Sequence, residues 1–273
     1  MFLPGNSLVI AQEPTFSKVK VFFEDNNMLE RLAGLNFDVD HPEFEDKQSI
    51  SLYLTENEID RLRANGFQYE ITIPDYNAYY LEMLANDLEN QQQMTRSSNV
   101  ADGFDLGSMG GFYTFAEVEA KLDEMKQNYP NLITTKTSIG TSIEGRPIWM
   151  VKISDNPNIN EPEPAAYFDA LHHAREPLSM AATINYMFWL LENYSTDPMV
   201  QFLLDNREIY FVPVVNPDGY FYNETTNPTG GGFWRKNRNP NSGGCVGVEL
   251  NRNYSFGYGV NGSCSSTDPC SGT

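Results

Sequence analysis

The stretch AAYFDALHHAREP, residues 165–177, passes from a short apolar run to an imidazole and a carboxylate spaced three residues apart. The apolar residues 165–171 predict a buried strand, and residues 177–191 predict a helix. A His-x-x-Glu pair at such a junction can direct one ring nitrogen and the carboxylate oxygens towards the same point. Zinc accepts mixed nitrogen and oxygen ligands, and a catalytic zinc site needs three protein ligands and one open position. His173 and Glu176 would therefore supply two of the three ligands.

The composition excludes several classes of function. The chain has 273 residues, enough for one large domain or two smaller ones with an ample core. Its net charge of −19, from 37 acidic and 18 basic residues, argues against nucleic-acid partners, because a phosphate backbone requires basic patches. The same charge argues against binding to anionic membranes, and no apolar stretch is long enough to span a bilayer. We interpret the acidity as a source of solubility.

Residues 17–75 alternate element types in the order β-α-β-β-α-β, which is typical of a small ferredoxin-like α+β domain. Thr55 and Glu58 form a predicted capping box at the start of the second helix, and Gly66 is predicted to end that helix. The sequence of this region contains no cluster of metal-ligand types, and we interpret His41 as an exposed loop residue. The predicted strands are residues 17–23, 37–40, 49–54 and 67–73, and the predicted helices are residues 27–34 and 55–66.

Two further segments flank this small domain. Residues 1–16 are a tail, which we interpret either as the remnant of a signal peptide or as a disordered terminus. Residues 76–111 are expected to form a connecting helix, to about residue 93, and then an exposed polar linker rich in Gln, Ser, Gly and Asp. Such linkers are where proteases cut, and Arg96 is a candidate trypsin-like site.

A second domain is expected over residues 112–273, where strands alternate with helices. That alternation predicts an α/β sheet with helices packed on both faces. From residue 217 onwards the chain is rich in Gly, Asn and Ser, so functional residues there are expected on loops. The predicted strands are residues 148–153, 165–171 and 209–215, and the predicted helices follow Thr114, Pro177 and Asp197.

Three polar motifs follow the His-x-x-Glu pair: NPDGY at residues 216–220, FWRKNR at residues 233–238 and CVGVELNRN at residues 245–253. Each has an alternative interpretation, respectively a turn after a strand, a solvated basic patch and an irregular loop. Together they concentrate arginine in the loops of an acidic protein. Because arginine can bind a carboxylate through two parallel hydrogen bonds, the motifs favour recognition of an anion.

With this set of motifs the sequence resembles the zinc metallocarboxypeptidases of the carboxypeptidase A/B type. The resemblance covers residues 112–273, and the region before them is similar in architecture to the family's activation segment. It implies a mixed-sheet α/β/α carboxypeptidase domain that hydrolyses C-terminal residues from peptides with one zinc ion. The motifs, in family order, are Gly145-Arg146-Pro147, His173-Ala174-Arg175-Glu176, Asn216-Pro217-Asp218-Gly219, Trp234-Arg235-Lys236 and Asn251-Arg252-Asn253.

The resemblance implies a metal centre and one catalytic residue. His173 and Glu176 match two of the three zinc ligands, while His172 stands in a variable position and is expected to be only a neighbour. Arg235 matches the arginine that polarises the scissile carbonyl and stabilises the oxyanion. Zinc held by two histidines and one glutamate would acidify a water molecule. Arg235 would then offset the charge of the tetrahedral intermediate.

The resemblance also implies substrate-binding side chains. Asn251 and Arg252 match the pair that binds the terminal carboxylate, and Arg175 matches an arginine on the outer substrate path. An internal peptide bond lacks that carboxylate and would leave the guanidinium unpaired, which explains selectivity for chain ends. The implied partners are peptides or proteins with a free C-terminus, bound by a monomeric enzyme that needs neither nucleic acid nor membrane.

The family's third zinc ligand, its general base and the floor of its specificity pocket fall beyond Thr273 in this resemblance. We therefore expect the chain to be the N-terminal fragment of a longer proenzyme, inactive on its own. The alternative is a naturally short, catalytically inactive homologue that binds peptides. The fragment is favoured because every family position that could be present is intact.

Three cysteines, Cys245, Cys264 and Cys270, lie near the C-terminus. The resemblance implies a disulfide between Cys245 and Cys270, which would brace the loop that carries Asn251 and Arg252. A bridge between Cys264 and Cys270 is the alternative, since connectivity cannot be deduced from spacing. A disulfide would indicate a secreted or extracellular enzyme, which we expect to be bacterial, whereas three free thiols would indicate an intracellular protein.

Overall fold

The computed structural model contains two compact units, Met1–Tyr79 and Tyr80–Thr273. The described residues are 14–35, 37, 43–46, 48–91, 100–242, 244–260, 265–268 and 270. Most of the predicted tail, the loop residue His41 and the candidate cleavage site Arg96 lie outside them. No helix in the described part of the chain is long and apolar enough to cross a membrane.

In the described part of the first unit, strands and helices follow the predicted order β-α-β-β-α-β. They are β1 (Phe16–Phe22), α1 (Asn26–Ala33), β2 (Glu43–Asp46), β3 (Ser49–Thr55), α2 (Glu56–Ala64) and β4 (Gln68–Ile73). The strands pair antiparallel in the order β2-β3-β1-β4. A role for this unit as an activation segment stays a prediction.

Local sequence explains these elements, with one difference in position. Val19 of β1 is fully buried, as expected for one face of an alternating strand. At the start of α2, the backbone N–H of Thr55 donates to Glu58 Oε2 at 2.8 Å, which confirms the predicted capping box. The second described strand is β2, which follows the predicted strand at residues 37–40. Residues 38–40 of that prediction lie outside the described residues, and Phe37 is buried in the hydrophobic core.

Residues 101–111, predicted as an exposed linker, instead belong to the second unit and contribute to its core. They follow α3 (Tyr76–Gln91) in the chain. Ala101 and Met109 are buried, and the two carboxylate oxygens of Glu192 accept the next two backbone N–H groups after Ala101. The linker prediction fails because these contacts join residues about 90 positions apart and leave no local periodicity.

The second unit is built around a mixed sheet. Its elements are α4 (Phe115–Asn128), β5 (Thr137–Thr141), β6 (Pro147–Ile153), β7 (Ala165–Asp169), α5 (Pro177–Asn193), α6 (Pro198–Leu204), β8 (Glu208–Val212), α7 (Pro217–Thr226) and a one-turn 3-10 helix (Leu250–Arg252). The strand order is β5-β6-β8-β7, with β7 parallel to β8 and the other neighbours antiparallel. One hydrophobic cluster joins α4, α5 and α6 to β6 and β8. The predicted α/β fold with a mixed sheet is confirmed.

Side-chain caps begin several helices where the sequence predicts them. At α4, the backbone N–H of Glu117 donates to Thr114 Oγ1, and the Glu117 carboxylate accepts the N–H of Thr114 at 2.7 Å. At α6, Asp197 accepts a first-turn N–H. The NPDG motif starts α7 instead of forming an isolated turn, because Asn216 Oδ1 accepts the N–H of Gly219. A proline begins each of α5, α6 and α7, where a helix needs no N–H donor.

Strand β7 is more exposed than its sequence predicts. Tyr167 is 55% exposed and Phe168 is 42% exposed, so residues 165–171 do not form a fully buried strand. Within this run the buried residues are Ala170 and Leu171, at its end. The reason is topological, since β7 lies at the edge of the described sheet with β8 as its neighbour. An apolar sequence shows that a strand is hydrophobic, but it does not show how many neighbouring strands flank it.

Candidate functional site

The turn between β7 and α5 determines where the His-x-x-Glu pair lies. Leu171 adopts a left-handed backbone conformation, with φ of 59°, which is strained for a bulky side chain. Its N–H donates to Ser179 Oγ and its carbonyl accepts the N–H of Asn216, each at 3.1 Å, so neighbouring contacts hold the strained turn. Such a conformation costs about 1–3 kcal/mol and is most common at functional sites.

His173 and Glu176 meet directly after this turn. Nδ1 of His173 lies 2.8 Å from Oε1 of Glu176. The His173 side chain is 4% exposed, whereas Glu176, the N-cap residue of α5, has a side chain that is 38% exposed. Arg175, between them in the chain, is half-buried, and its charge acts on Glu176. The buried ring and the carboxylate are therefore in direct contact, and the carboxylate reaches solvent.

Glu249, to which the sequence assigned no role, completes this cluster. Its Oε1 lies 3.1 Å from Nε2 of His173, and its Oε2 contacts Nε of Arg235. Glu249 is 4% exposed, so one buried carboxylate is shared by a histidine and an arginine. The sequence signal for Glu249 was weak: it is an acidic residue two positions before Asn251, in a region whose motifs are otherwise basic.

The charges of the cluster shift the pKa values of its members. Burial lowers the pKa of His173, but hydrogen bonds with Glu176 and Glu249 outweigh it and raise that pKa to about 9. Burial raises the pKa of Glu249, yet its contacts with His173 and the charge of Arg235 lower it to about 2. The pKa of Glu176 is also lowered, because the hydrogen bond with His173 outweighs burial. Both carboxylates are therefore ionised at neutral pH.

The donor set of this cluster fits zinc. A metal-bound histidine almost always engages a carboxylate or carbonyl through its second ring nitrogen. His173 is arranged in this way, since Nδ1 faces Glu176 while Nε2 faces Glu249. Among the residues that the structure describes, no group of three or more His, Cys, Asp or Glu side chains could hold a metal ion. The cluster thus contains the two candidate ligands, His173 and Glu176, and one further carboxylate in contact with the ring.

The predicted anion-binding residues lie on segments connected to Glu249. Arg235 is 6% exposed, so it does not belong to a solvated basic patch. Asn251 and Arg252 form the 3-10 helix, whose backbone N–H groups donate to the Glu249 side chain at 2.9 Å and to its carbonyl at 3.2 Å. One glutamate therefore contacts His173, the buried arginine and the turn that carries Asn251 and Arg252.

His172 lies beside the pair and has different partners. Its Nε2 is 2.5 Å from the hydroxyl of Tyr254, and burial lowers its pKa. A cavity of about 320 Å³ opens next to it, lined also by Asn216, Asn253 and Tyr254. This cavity provides room for a bound molecule beside the cluster.

A disulfide joins Cys245 to Cys270, with the two Cα atoms 5.6 Å apart. The pairing implied by the family resemblance is therefore confirmed, and the alternative bridge from Cys264 to Cys270 is wrong. Cys264 itself lies outside the described residues. The closed loop contains the 3-10 helix with Asn251 and Arg252, so the covalent link limits how far that helix can move.

Cys245→Ser is expected to lower the free energy of unfolding by about 3 kcal/mol, the chain-entropy value for a loop of this length. The sequence separation of 25 residues sets that value. Urea unfolding without reductant measures it, and reductant added to the unmodified protein should reproduce the loss. Cys264→Ser is the control and should keep the original midpoint. An equal loss in both variants would argue against the observed pairing.

Comparison with known proteins shows which family the chain resembles. A family model described as Peptidase_M14, zinc carboxypeptidase, matches residues 118–273. A zinc carboxypeptidase of Saccharothrix mutabilis subsp. capreolus is 36% identical over 203 residues, covering 74% of this chain and 44% of that protein. Carboxypeptidase A2 of Rattus norvegicus is 34% identical over 211 residues, covering 77% of this chain and 46% of that protein.

Solved structures show the same fold. The crystal structure of carboxypeptidase A from Helicoverpa armigera has a TM-score of 0.67 and 25% identity to this chain, covering 95% of this chain and 62% of that one. The chain spans about half the length of the curated relatives it matches. The implied family is confirmed by the match over residues 118–273, which is more than half of the sequence. The chain belongs to the zinc carboxypeptidase family.

Proposed function

We propose that the protein is a zinc-dependent carboxypeptidase that removes C-terminal amino acids from peptides. The observation that carries this proposal is the setting of the His173 ring, with Nδ1 2.8 Å from Glu176 Oε1 and Nε2 3.1 Å from Glu249 Oε1. His173 and Glu176 would hold the metal, together with a third ligand from outside the described residues. Glu249 would fix the orientation of the ring through its second nitrogen.

Zinc, when bound, supplies a Lewis acid that makes a water molecule more acidic and more nucleophilic. Arg235 would stabilise the negative charge that develops on the scissile carbonyl oxygen. Its burial strengthens this interaction, because electrostatic attraction grows as water is excluded. The contact between Glu249 and Nε of Arg235 holds the guanidinium in place before substrate arrives, so little reorganisation is needed.

Asn251 and Arg252 would bind the terminal carboxylate of the substrate, and Arg175 would contact residues further from the chain end. A free carboxylate offers an arginine two parallel hydrogen bonds, whereas an internal peptide group offers none of that charge. Substrates without a free C-terminus would offer Arg252 no carboxylate and would be rejected. The substrate class is therefore peptides and proteins with an accessible free C-terminus.

The second candidate is a peptide-binding protein of the same fold that does not hydrolyse its ligand. One observation favours it: the residues that the structure describes include no group of three His, Cys, Asp or Glu side chains able to hold a metal. Such a protein would still select free carboxylates through Arg252. Zinc would then have no effect on the ligand.

Zinc dependence distinguishes the two candidates. The assay uses the longer protein that the sequence predicts, and it measures free amino acid released from blocked dipeptides with apolar, basic or acidic C-terminal residues, with added Zn²⁺ and after chelation. A carboxypeptidase releases amino acid only with zinc, His173→Ala abolishes the release, and amidated dipeptides are not cleaved. Binding of peptide acids without turnover would favour the second candidate. Absence of both binding and turnover would contradict both.

We also infer that the protein works in an oxidising compartment outside the cytosol. The Cys245–Cys270 disulfide supports this location, since cytosolic reductants keep most thiols reduced. Thiol titration of denatured protein from its native compartment should find Cys245 and Cys270 blocked. Three reactive cysteines would contradict export.

A further inference from the structure

Helix α7 buries a polar face against two segments of the candidate site. The first segment, residues 172–176, carries His173, and the second, residues 232–238, carries Arg235. Asn216 caps this helix, and Gly219 and Asn223 follow it by three and seven positions, which places them on one side. All three residues are buried. A buried amide stabilises a structure only when its polar atoms are satisfied, so the partners of this face indicate its purpose.

Asn223 joins the two segments of the site. Its side-chain nitrogen donates to the carbonyl of Ala174 at 3.0 Å and to the carbonyl of Trp234 at 2.8 Å. Its side-chain oxygen accepts the N–H of Trp234 at 2.9 Å. One amide that is 3% exposed thus holds the residue after His173 and both backbone polar groups of the residue before Arg235.

Asn216 makes a similar link, two residues away in the first segment and one residue away in the second. Its side-chain nitrogen donates to the carbonyl of His172 at 3.0 Å and to that of Arg235 at 3.3 Å. The Arg235 carbonyl also accepts the N–H of Ala174 at 2.9 Å, which joins the segments directly. The absence of a side chain at Gly219 permits this approach, because a Cβ there would lie 2.4 Å from a backbone oxygen of the second segment.

We infer that Asn223 is a positioning residue that sets the placement of His173 relative to Arg235. The inference rests on the proposed function, since it concerns the metal ligand and the group that would stabilise the oxyanion. Both residues project from segments that one helix holds, so the same amide opposes a shift of either segment. In enzymes, a displacement of about 1 Å at such groups lowers the rate by about 10²-fold.

Amide hydrogen exchange, resolved at single residues by NMR, tests this inference without requiring turnover. Asn223→Asp keeps the acceptor for the Trp234 N–H but replaces both donors by an acceptor. We expect exchange at the Ala174 N–H to accelerate by at least about 10-fold, while the Trp234 N–H stays protected. The Ala174 N–H is the informative probe because it donates to the Arg235 carbonyl.

Gly232→Ala is a second variant that leaves Asn223 itself unchanged. A Cβ at Gly232 would lie 2.6 Å from Oδ1 of Asn223, so it should push the second segment away from α7. We expect faster exchange at Ala174 and, in this variant, at Trp234 as well. This variant keeps the inference testable if Asn223→Asp fails to fold.

Tyr220→Phe is the matched control on the same helix. Tyr220 is buried, and its hydroxyl donates to the carbonyl of Tyr113, which belongs to neither segment. Its loss should reduce global stability but leave exchange at Ala174 unchanged once that global change is subtracted. Equal acceleration in the control and in Asn223→Asp would show a general structural role and overturn the inference. Unchanged exchange in Asn223→Asp would also overturn it.

Kinetics give a second readout when zinc-dependent turnover is present. Asn223→Asp should lower kcat by about 10- to 100-fold and leave KM almost unchanged, because binding of the terminal carboxylate is not altered. Tyr220→Phe should change neither constant. A raised KM with an intact kcat would contradict the positioning role. Absence of turnover in the unmodified longer protein would contradict the proposed function, while the exchange experiment would still decide the role of Asn223.

Discussion

Replacing Glu249 by alanine is expected to lower the free energy of unfolding by about 3–5 kcal/mol, the loss typical of a buried charge left without its partner. The side chains of Glu249 and Arg235 are 3% and 5% exposed, so the substitution leaves a buried guanidinium without the carboxylate that it contacts. The substitution also removes the acceptor for the Asn251 N–H and the contact with Nε2 of His173. Urea unfolding at pH 7, where Glu249 is ionised because its pKa is about 2, measures the loss.

Two further variants test whether the expected loss comes from the burial of the Glu249 carboxylate or from the removal of a negative charge alone. Glu124→Ala removes a carboxylate whose side chain is 39% exposed and pairs with Lys121, and exposed pairs contribute at most about 1 kcal/mol. Adding Arg235→Met to Glu249→Ala removes the buried cation that has lost the Glu249 carboxylate, and it should restore part of the lost stability. A loss for Glu249→Ala no larger than that of the surface control would show that the buried cluster does not stabilise the fold.

The His-x-x-Glu pair illustrates which features sequence could predict. Its spacing, the apolar run before it and the proline after it are all local, and the structure brings ring and carboxylate to 2.8 Å. The capping boxes that begin with Thr55 and Thr114 were predictable for the same reason, since each depends on residues three positions apart. Short-range geometry therefore accounts for both the contact between His173 and Glu176 and the helix starts.

Glu249 and Asn223 could not be predicted because their roles depend on contacts between distant segments. Asn223 binds a carbonyl 49 positions before it and another 11 positions after it. Acids and amides are common in loops, so residue type alone gave no signal. The left-handed backbone of Leu171 is equally invisible in sequence, since leucine rarely adopts it without tertiary contacts. Topology also set the exposure of β7, which its apolar sequence could not indicate.

A large kinetic effect is expected for Arg235. In zinc-loaded protein that releases C-terminal residues, Arg235→Lys should lower kcat by about 10²–10³-fold, the effect of losing one donor to an oxyanion. Lysine keeps the positive charge but lacks the planar guanidinium that can donate to Glu249 and to a carbonyl oxygen at once. KM should change little, because Asn251 and Arg252 would still bind the terminal carboxylate.

Initial rates with a blocked dipeptide over a range of concentrations give kcat and KM separately. Arg207→Lys is the matched control, because the guanidinium of Arg207 donates to the backbone carbonyl of Asn206 and contacts none of the cluster residues described above. Its rate constants should stay within about twofold of the unmodified protein, as surface changes usually do. A raised KM with an unchanged kcat in Arg235→Lys would assign Arg235 to ground-state binding. If both constants are unchanged, the contact between Arg235 and Glu249 contributes to stability alone.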